Sequence, residues 1–239
     1  MREFVFSLTY EPGVDPVADV FIEYPAALSK SLDCAVAGND MWRLDRITGP
    51  EPAVSALTDL LTDPSRCNEC LNDPTCDSYR EHELLAADTT SATIYTYRQG
   101  IEECRTLPSL AHEHLGPGLL YETQRRGNAY EWRILMRSDD SVGELFDAVQ
   151  AHLSGGVSVS LSHLSNPTHW TDEAITACEL PFEQREVLEL AVSHGYYETP
   201  RETTLAELAD EIGVPQSTLQ YRLQRAESWL ASGFVNECL

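Results

Sequence analysis

The sequence predicts an α+β protein, with an N-terminal part of two tandem ferredoxin-like βαββαβ units followed by an all-α domain of helix-turn-helix type. Two observations predict the first part. Apolar residues alternate over short runs and then recur at helical spacing, and this succession of elements occurs twice in the same order. A third observation predicts the second part: from Leu180 onward only helical spacing is found, divided by Gly195 and Gly213.

Taken in order, Phe4 to Tyr10 reads as a strand, Pro12-Gly13 as a turn, and a helix then carries Val17, Val20, Phe21 and Tyr24 on one face until Pro25 stops it. Strands near Leu32–Ala37 and Met41–Ile47 flank a turn at Gly38-Asn39-Asp40. A helix from about Pro52 aligns Val54, Leu57 and Leu61, and Glu81–Ala87 closes the first unit. The second unit repeats the order with strand Ala92–Arg98 and a helix near Leu107–His114. A hairpin of Leu119–Gln124 with Tyr130–Met136 follows, then a helix bearing Val142, Leu145, Phe146 and Val149, and strand Val157–Leu161. The hairpin is the clearest local signal, because Tyr130, Trp132, Ile134 and Met136 alternate with mostly polar neighbours across a Gly127-Asn128 turn. The repeat is one of element order, without residue-level similarity, and a continuous sheet of different strand order would contradict two separate units. The expected division is residues 1–164 (units 1–88 and 89–164, with a cysteine loop at 64–82), a linker at 165–179, and a C-terminal domain at 180–239.

Charge sets the chemical context. Thirty-nine acidic residues stand against 16 basic ones, the formal net charge is -23, and Lys30 is the only lysine. Dense, dispersed carboxylates with almost no lysine suit a surface hydrated in molar salt, where self-repulsion is screened. In such a setting a missing basic patch does not exclude nucleic acid, since counterion release contributes little there. No run approaches the roughly 18 apolar residues of a membrane span, and "MREFVFSLTYEPG" turns acidic and proline-containing before a signal-like region develops. The expectation is a cytoplasmic protein without membrane partners, whose seven cysteines form no disulfide framework.

The segment "LPFEQREVLELAVSHGYYETPRETTLAELADEIGVPQSTLQYRLQRAESWL" divides into three helical stretches. Phe182, Val187, Leu190 and Ala191 give the first a buried face. Thr204 and Glu207 form a capping-box pattern ahead of Leu205, Leu208, Ala209 and Ile212, and Gly213 ends the second. The third begins near Pro215 and aligns Leu219, Leu223, Ala226 and Leu230. Opposite that stripe lie Ser217, Tyr221, Gln224, Arg225 and Ser228, with Gln220 beside them and Arg222 on the flank. Gln pairs bidentately with adenine and Arg with guanine, so Gln216, Ser217, Thr218, Gln220, Tyr221, Arg222, Gln224 and Arg225 are the candidate DNA contacts. Periodicity alone fits an ordinary three-helix bundle equally well.

The elements "REVLELA", "GYYETPRETT", "LAELADEIGVPQSTL" and "RLQRAESWL" resemble the helix-turn-helix domain of the haloarchaeal bacterio-opsin activator (Bat-type) transcription regulators, over roughly the last quarter of the chain. The resemblance implies a sequence-specific regulator whose third helix enters the major groove of double-stranded DNA, and the N-terminal part resembles the sensory region ahead of that domain in some of these regulators. A homodimer is the default expectation, because helix-turn-helix proteins commonly read paired half-sites. The third helix is less basic here than the family would lead one to expect.

Within "SRCNECLNDPTCDSYREH", Cys67, Cys70, Cys76 and His82 form a candidate metal site, with Cys104, His112 or His114 as other completing ligands. Zinc suits a Cys-x2-Cys hairpin. Copper(I), an iron-sulfur cluster and a redox-active thiol pair remain open, as does a plain cysteine-bearing loop. His112 and His114 alone read as an exposed helix end, and Asp139-Asp140 and Glu102-Glu103 as solvated charge. No phosphate loop, nucleophile elbow or zincin motif occurs, so no enzyme is expected. Two function classes follow: a one-component DNA-binding regulator under metal or redox control, or an acidic adaptor whose C-terminal helices bind a protein.

Overall fold

The computed structural model describes residues 1–35, 40–71, 78–100, 104–167 and 180–238, and divides into two units, Met1–Cys178 and Glu179–Leu239. The first unit carries, in order, β1 (Arg2–Tyr10), α1 (Pro16–Glu23), β2 (Leu28–Ala35), β3 (Met41–Thr48), α2 (Glu51–Thr62) and β4 (Tyr79–Ala87). It continues with β5 (Ser91–Gln99), α3 (Leu107–Leu115), β6 (Leu120–Arg126), β7 (Ala129–Met136), α4 (Val142–His152) and β8 (Val157–Ser165). The α+β class and both βαββαβ successions are as expected. β2 starts at Leu28, ahead of the expected Leu32, because Ser29, Lys30 and Ser31 break the apolar alternation that marks a strand. The expected turn at Gly38-Asn39 and most of the expected linker lie outside the described residues.

The eight strands form one antiparallel sheet in the order β4-β5-β3-β2-β6-β7-β1-β8. In a ferredoxin-like unit the first strand lies between the third and the fourth. Here β5 lies between β3 and β4, and β1 lies between β7 and β8, so each half receives the other's first strand, and the two expected units share one continuous sheet instead of folding as separate ones. The two halves are joined through β2 and β6. Each first strand offers an alternating apolar row, Phe4, Phe6 and Leu8 or Ala92 and Ile94, and each leads by a short connection into a helix. Local pattern therefore fits either slot.

Two apolar cores result. In one, α1 and α2 place Val17, Phe21, Val54 and Leu57 against Ile47 and Ile94; in the other, α3 and α4 place Leu107, Leu110, Leu145 and Val149 against Phe4, Phe6, Trp132 and Ile134. Helix starts are set locally. Asp15 caps α1 by accepting from the Ala18 N–H at 2.8 Å, ahead of Pro16, and Thr106 forms a reciprocal capping box with Ser109 on α3.

The second unit holds α5 (Phe182–Ser193), α6 (Leu205–Ile212) and α7 (Gln216–Cys238). Val187, Ala191, Tyr196, Leu208, Ala209, Leu219 and Leu223 form its core. Thr204 and Glu207 make the predicted capping box, and Gly213 ends α6 at φ 77°, a conformation that costs glycine least. Among the described residues no helix is long and apolar enough to cross a membrane.

Candidate cysteine centre and nucleic-acid interface

Between the two cores the helix-facing side of the sheet is polar. Register places Ser31 opposite Asp45 and Thr123, and Asp33 opposite Arg43 and Tyr121, and the period of two turns them all to the face that also carries Ile47. Arg43 is buried and fully engaged: Nη2 donates to Asp45 Oδ1 at 2.7 Å and Ser31 Oγ at 2.8 Å, and Nη1 donates to Tyr130 OH at 2.9 Å. Asp33 has no exposed surface and, among the described residues, no hydrogen-bond donor; Arg43 Nε lies 3.5 Å from its Oδ1. Burial pushes its carboxyl up to about 8 against the opposing pull of Arg43.

The chain after α2 closes over this seam. Ser65 turns back onto Asp63, Arg66 pairs with Asp15 at 2.8 Å, and Asn68 Nδ2 donates to the Leu60 carbonyl at 2.8 Å. Glu69 pairs with the buried Arg98 of β5 and lies 3.8 Å from Arg43. Beyond it the backbone bridges Cys70 to Thr106, and Leu71 N–H donates to the Arg105 carbonyl at 3.0 Å. These ties carry Cys67 and Cys70 to Cys104, whose own carbonyl accepts from Ser109 Oγ at 2.9 Å.

The three sulfurs lie within 4.8 Å of one another, with Cys70 and Cys104 at 2.7 Å and Cys67 and Cys104 at 3.6 Å. Arg98 Nη2 stands 3.3 Å from Cys104 Sγ and 3.4 Å from Cys67 Sγ. Hydrogen bonds from Cys104 and Cys70, aided by Arg98, hold the Cys67 thiol far below its ordinary value, whereas hydrogen bonds with Cys104 and Cys67 push Cys70 up. One thiolate is thus favoured, with two further sulfurs beside it. Such a set offers three soft ligands to one ion, or a pair poised for two-electron oxidation.

Of the expected metal ligands, Cys67 and Cys70 are brought together, and Cys104 joins them from across the sequence. Cys76 lies outside the described residues. His82, on β4, does not belong to the cluster: its Nδ1 is 3.0 Å from Thr96 Oγ1, and its buried Nε2 has no hydrogen-bond partner among the described residues. His112 and His114 fall in the last turn of α3, the first exposed and the second half-buried, as expected of a helix end. Sequence reading missed Asp33, Arg43, Asp45, Glu69 and Arg98. The signal available was a charge on the inward parity of a strand, as with Arg98 in step with Ala92 and Ile94.

On α7, Gln216, Ser217, Gln220, Tyr221, Gln224 and Arg225 are all exposed, Tyr221 by 64%. Thr218 and Arg222 are half-buried on the flank. Leu219, Leu223 and Ala226 point inward as expected, whereas Leu230 is 45% exposed, because the core of this unit ends one turn earlier. The connection between α5 and α6 is built into the unit. Tyr196 is buried with the Arg201 guanidinium 4.3 Å from its ring centre, and Tyr197 OH donates to Glu227 on α7 at 2.7 Å.

These features define a class: an α+β domain with a polar, cysteine-bearing seam, followed in sequence by a helix-turn-helix unit. Residues 3–170 match the family described as HVO_2928, N-terminal, and the chain belongs to that family. Residues 182–232 match the model described as HTH DNA binding domain. Among curated relatives, a dimethyl sulfoxide reductase transcriptional activator of Haloferax volcanii is 48% identical over 58 residues, covering 24% of this chain and 27% of the relative. A protein of the same description from Halobacterium salinarum is 37% identical over 87 residues, 33% of this chain and 38% of the relative. A putative transcriptional regulator of Haloferax volcanii is 31% identical over 102 residues, 42% of this chain and 18% of the relative. The chain thus spans well under half the length of these relatives. The matches support the resemblance to Bat-type helix-turn-helix regulators, and the relatives are described as regulators, not enzymes.

Proposed function

We propose that this chain is a cytoplasmic, one-component transcription regulator of a halophilic archaeon that reads double-stranded DNA with α7. The observation that carries the reading is the match of residues 182–232 to a helix-turn-helix DNA-binding domain, coincident with a polar, exposed row on its last helix. Gln216, Ser217, Gln220, Tyr221, Gln224 and Arg225 are the proposed contacts to base edges and phosphates, with Thr218 and Arg222 against the backbone at the flank. A homodimer reading two half-sites fits this mode.

Control comes from the N-terminal unit through the Cys67, Cys70 and Cys104 centre, with zinc as the favoured ion. Three thiolates on one divalent cation leave a net negative charge, and the Arg98 guanidinium beside two of the sulfurs matches it.

Fluorescence anisotropy of labelled host promoter fragments, titrated with the full chain across a potassium chloride series, tests the reading. Saturable binding that one fragment shows and a scrambled fragment does not is the expected result. Equal, weak binding to every fragment at all salt concentrations supports the protein-binding adaptor instead.

A further inference from the structure

A cavity of about 370 Å3 opens beside the cysteine loop, within the size range of small-molecule sites. Its walls come from both exchanged halves: Leu8 and Tyr10 of β1, Arg125 at the end of β6, Tyr130 and Trp132 of β7, and Leu107 of α3. Arg125 is only 8% exposed, and its guanidinium carbon lies 3.8 Å from the centre of the Tyr130 ring. Among the described residues its Nε–H has no acceptor, and neither has the indole N–H of Trp132, which is 3% exposed.

Three other cations around the seam are matched by acids. Arg66 holds Asp15, Arg43 holds Asp45, and Arg98 holds Glu69, so both acids on the cavity wall, Asp15 and Glu69, are already engaged. Arg125 forms no ion pair among the described residues. A guanidinium cannot discharge by losing its proton, and a buried charge without a counter-charge is costly. A ring face offsets part of that cost; an anion offsets more.

We propose that this cavity binds a small organic anion, its carboxylate on Arg125 and its apolar body against Leu8, Leu107 and the aromatic rings. An inorganic anion would satisfy the charge and leave the apolar wall and most of the volume unfilled. The site is distinct from the DNA-reading helix and adjoins Cys67 and Cys70, which line the same cavity.

The test uses the full chain in molar potassium chloride and four probes: benzoate, phenylacetate, the neutral isostere benzamide, and inorganic phosphate. Calorimetric titration is expected to show saturable binding of at least one carboxylate and none of benzamide. Arg125→Met weakens that binding by at least about tenfold, and the variant unfolds at no lower temperature than wild type because it removes an unmatched charge. Where that variant fails to fold, the indole N–H resonance of Trp132 in wild type, assigned with Trp132→Phe, supplies the readout and is expected to move on adding the carboxylate. The proposal is overturned by the absence of saturable carboxylate binding, by equal binding to Arg125→Met, by binding of phosphate alone, or by a Trp132 resonance that stays still at saturation.

Discussion

Cys70 Sγ and Cys104 Sγ lie 2.7 Å apart although they are 34 positions apart in the sequence, and the strand exchange brings about that meeting. Cys70 follows α2 of the first unit. Cys104 follows β5, which has left its own unit to pair with β3 and β4 and so runs beneath the loop that carries Cys67 and Cys70.

Cys104→Ser is expected to abolish stoichiometric metal in protein purified without a metal affinity column, as Cys67→Ser and Cys70→Ser do, while His82→Ala keeps it. Elemental analysis of the four variants checks this. Metal retained in Cys104→Ser and lost in His82→Ala would place the centre on the β4 side instead.

The pH dependence of stability follows from Asp33. Its carboxyl titrates near 8 when folded and at the ordinary 3.8 when unfolded, so between these values the folded state binds the extra proton. The stabilisation is fully present below about pH 4 and is lost as pH rises through about 8. Asp33→Asn is expected to flatten this slope and to be at least as stable as wild type at pH 9. Chemical unfolding across the range measures it, and an unchanged slope in the variant sinks the assignment.

Within the C-terminal unit, Thr204→Ala removes one half of the capping box and is expected to cost about 1 kcal/mol. Leu223→Ala opens a cavity at a residue 3% exposed and is expected to cost roughly 2–5 kcal/mol. Hydrogen exchange of the α6 and α7 amides in the full chain reads both, with the larger loss of protection in Leu223→Ala. Equal, small effects would mean that α7 is not held by this core.

Gly195 adopts φ 67°, and a Cβ there would stand 2.9 Å from Glu202 Cβ. Gly195→Ala is therefore expected to destabilise the same unit by more than about 1 kcal/mol. Tolerance of this change in the same exchange experiment would show that the Tyr196–Arg201 connection is free to rearrange.

How far the sequence could be read depended on how local each signal was. The β6–β7 hairpin was legible because Tyr130, Trp132, Ile134 and Met136 alternate across a Gly127 turn, and α6 because its cap, apolar stripe and terminator lie within ten or so residues of one another. The exchange of β1 and β5 was not, since both present an apolar row of the same period and pairing between distant strands leaves no local trace. The cysteine centre was half legible. Cys67 and Cys70 carry ligand spacing, whereas the position of Cys104 depends on where β5 runs. Arg125 gave no signal beyond an arginine near a hairpin; its significance comes from the lack of a counter-charge among the described residues, which only three dimensions reveal.

DNA readout by α7 is the step on which the proposed regulation turns. Genome-wide mapping of bound DNA in the host, comparing wild type with a Tyr221→Ala, Gln224→Ala, Arg225→Ala triple variant that retains its fold, tests it most directly. Discrete promoter peaks that vanish in the variant are the expected result. Peaks that persist unchanged in the folded variant, or no wild-type peaks under any growth condition, would contradict it.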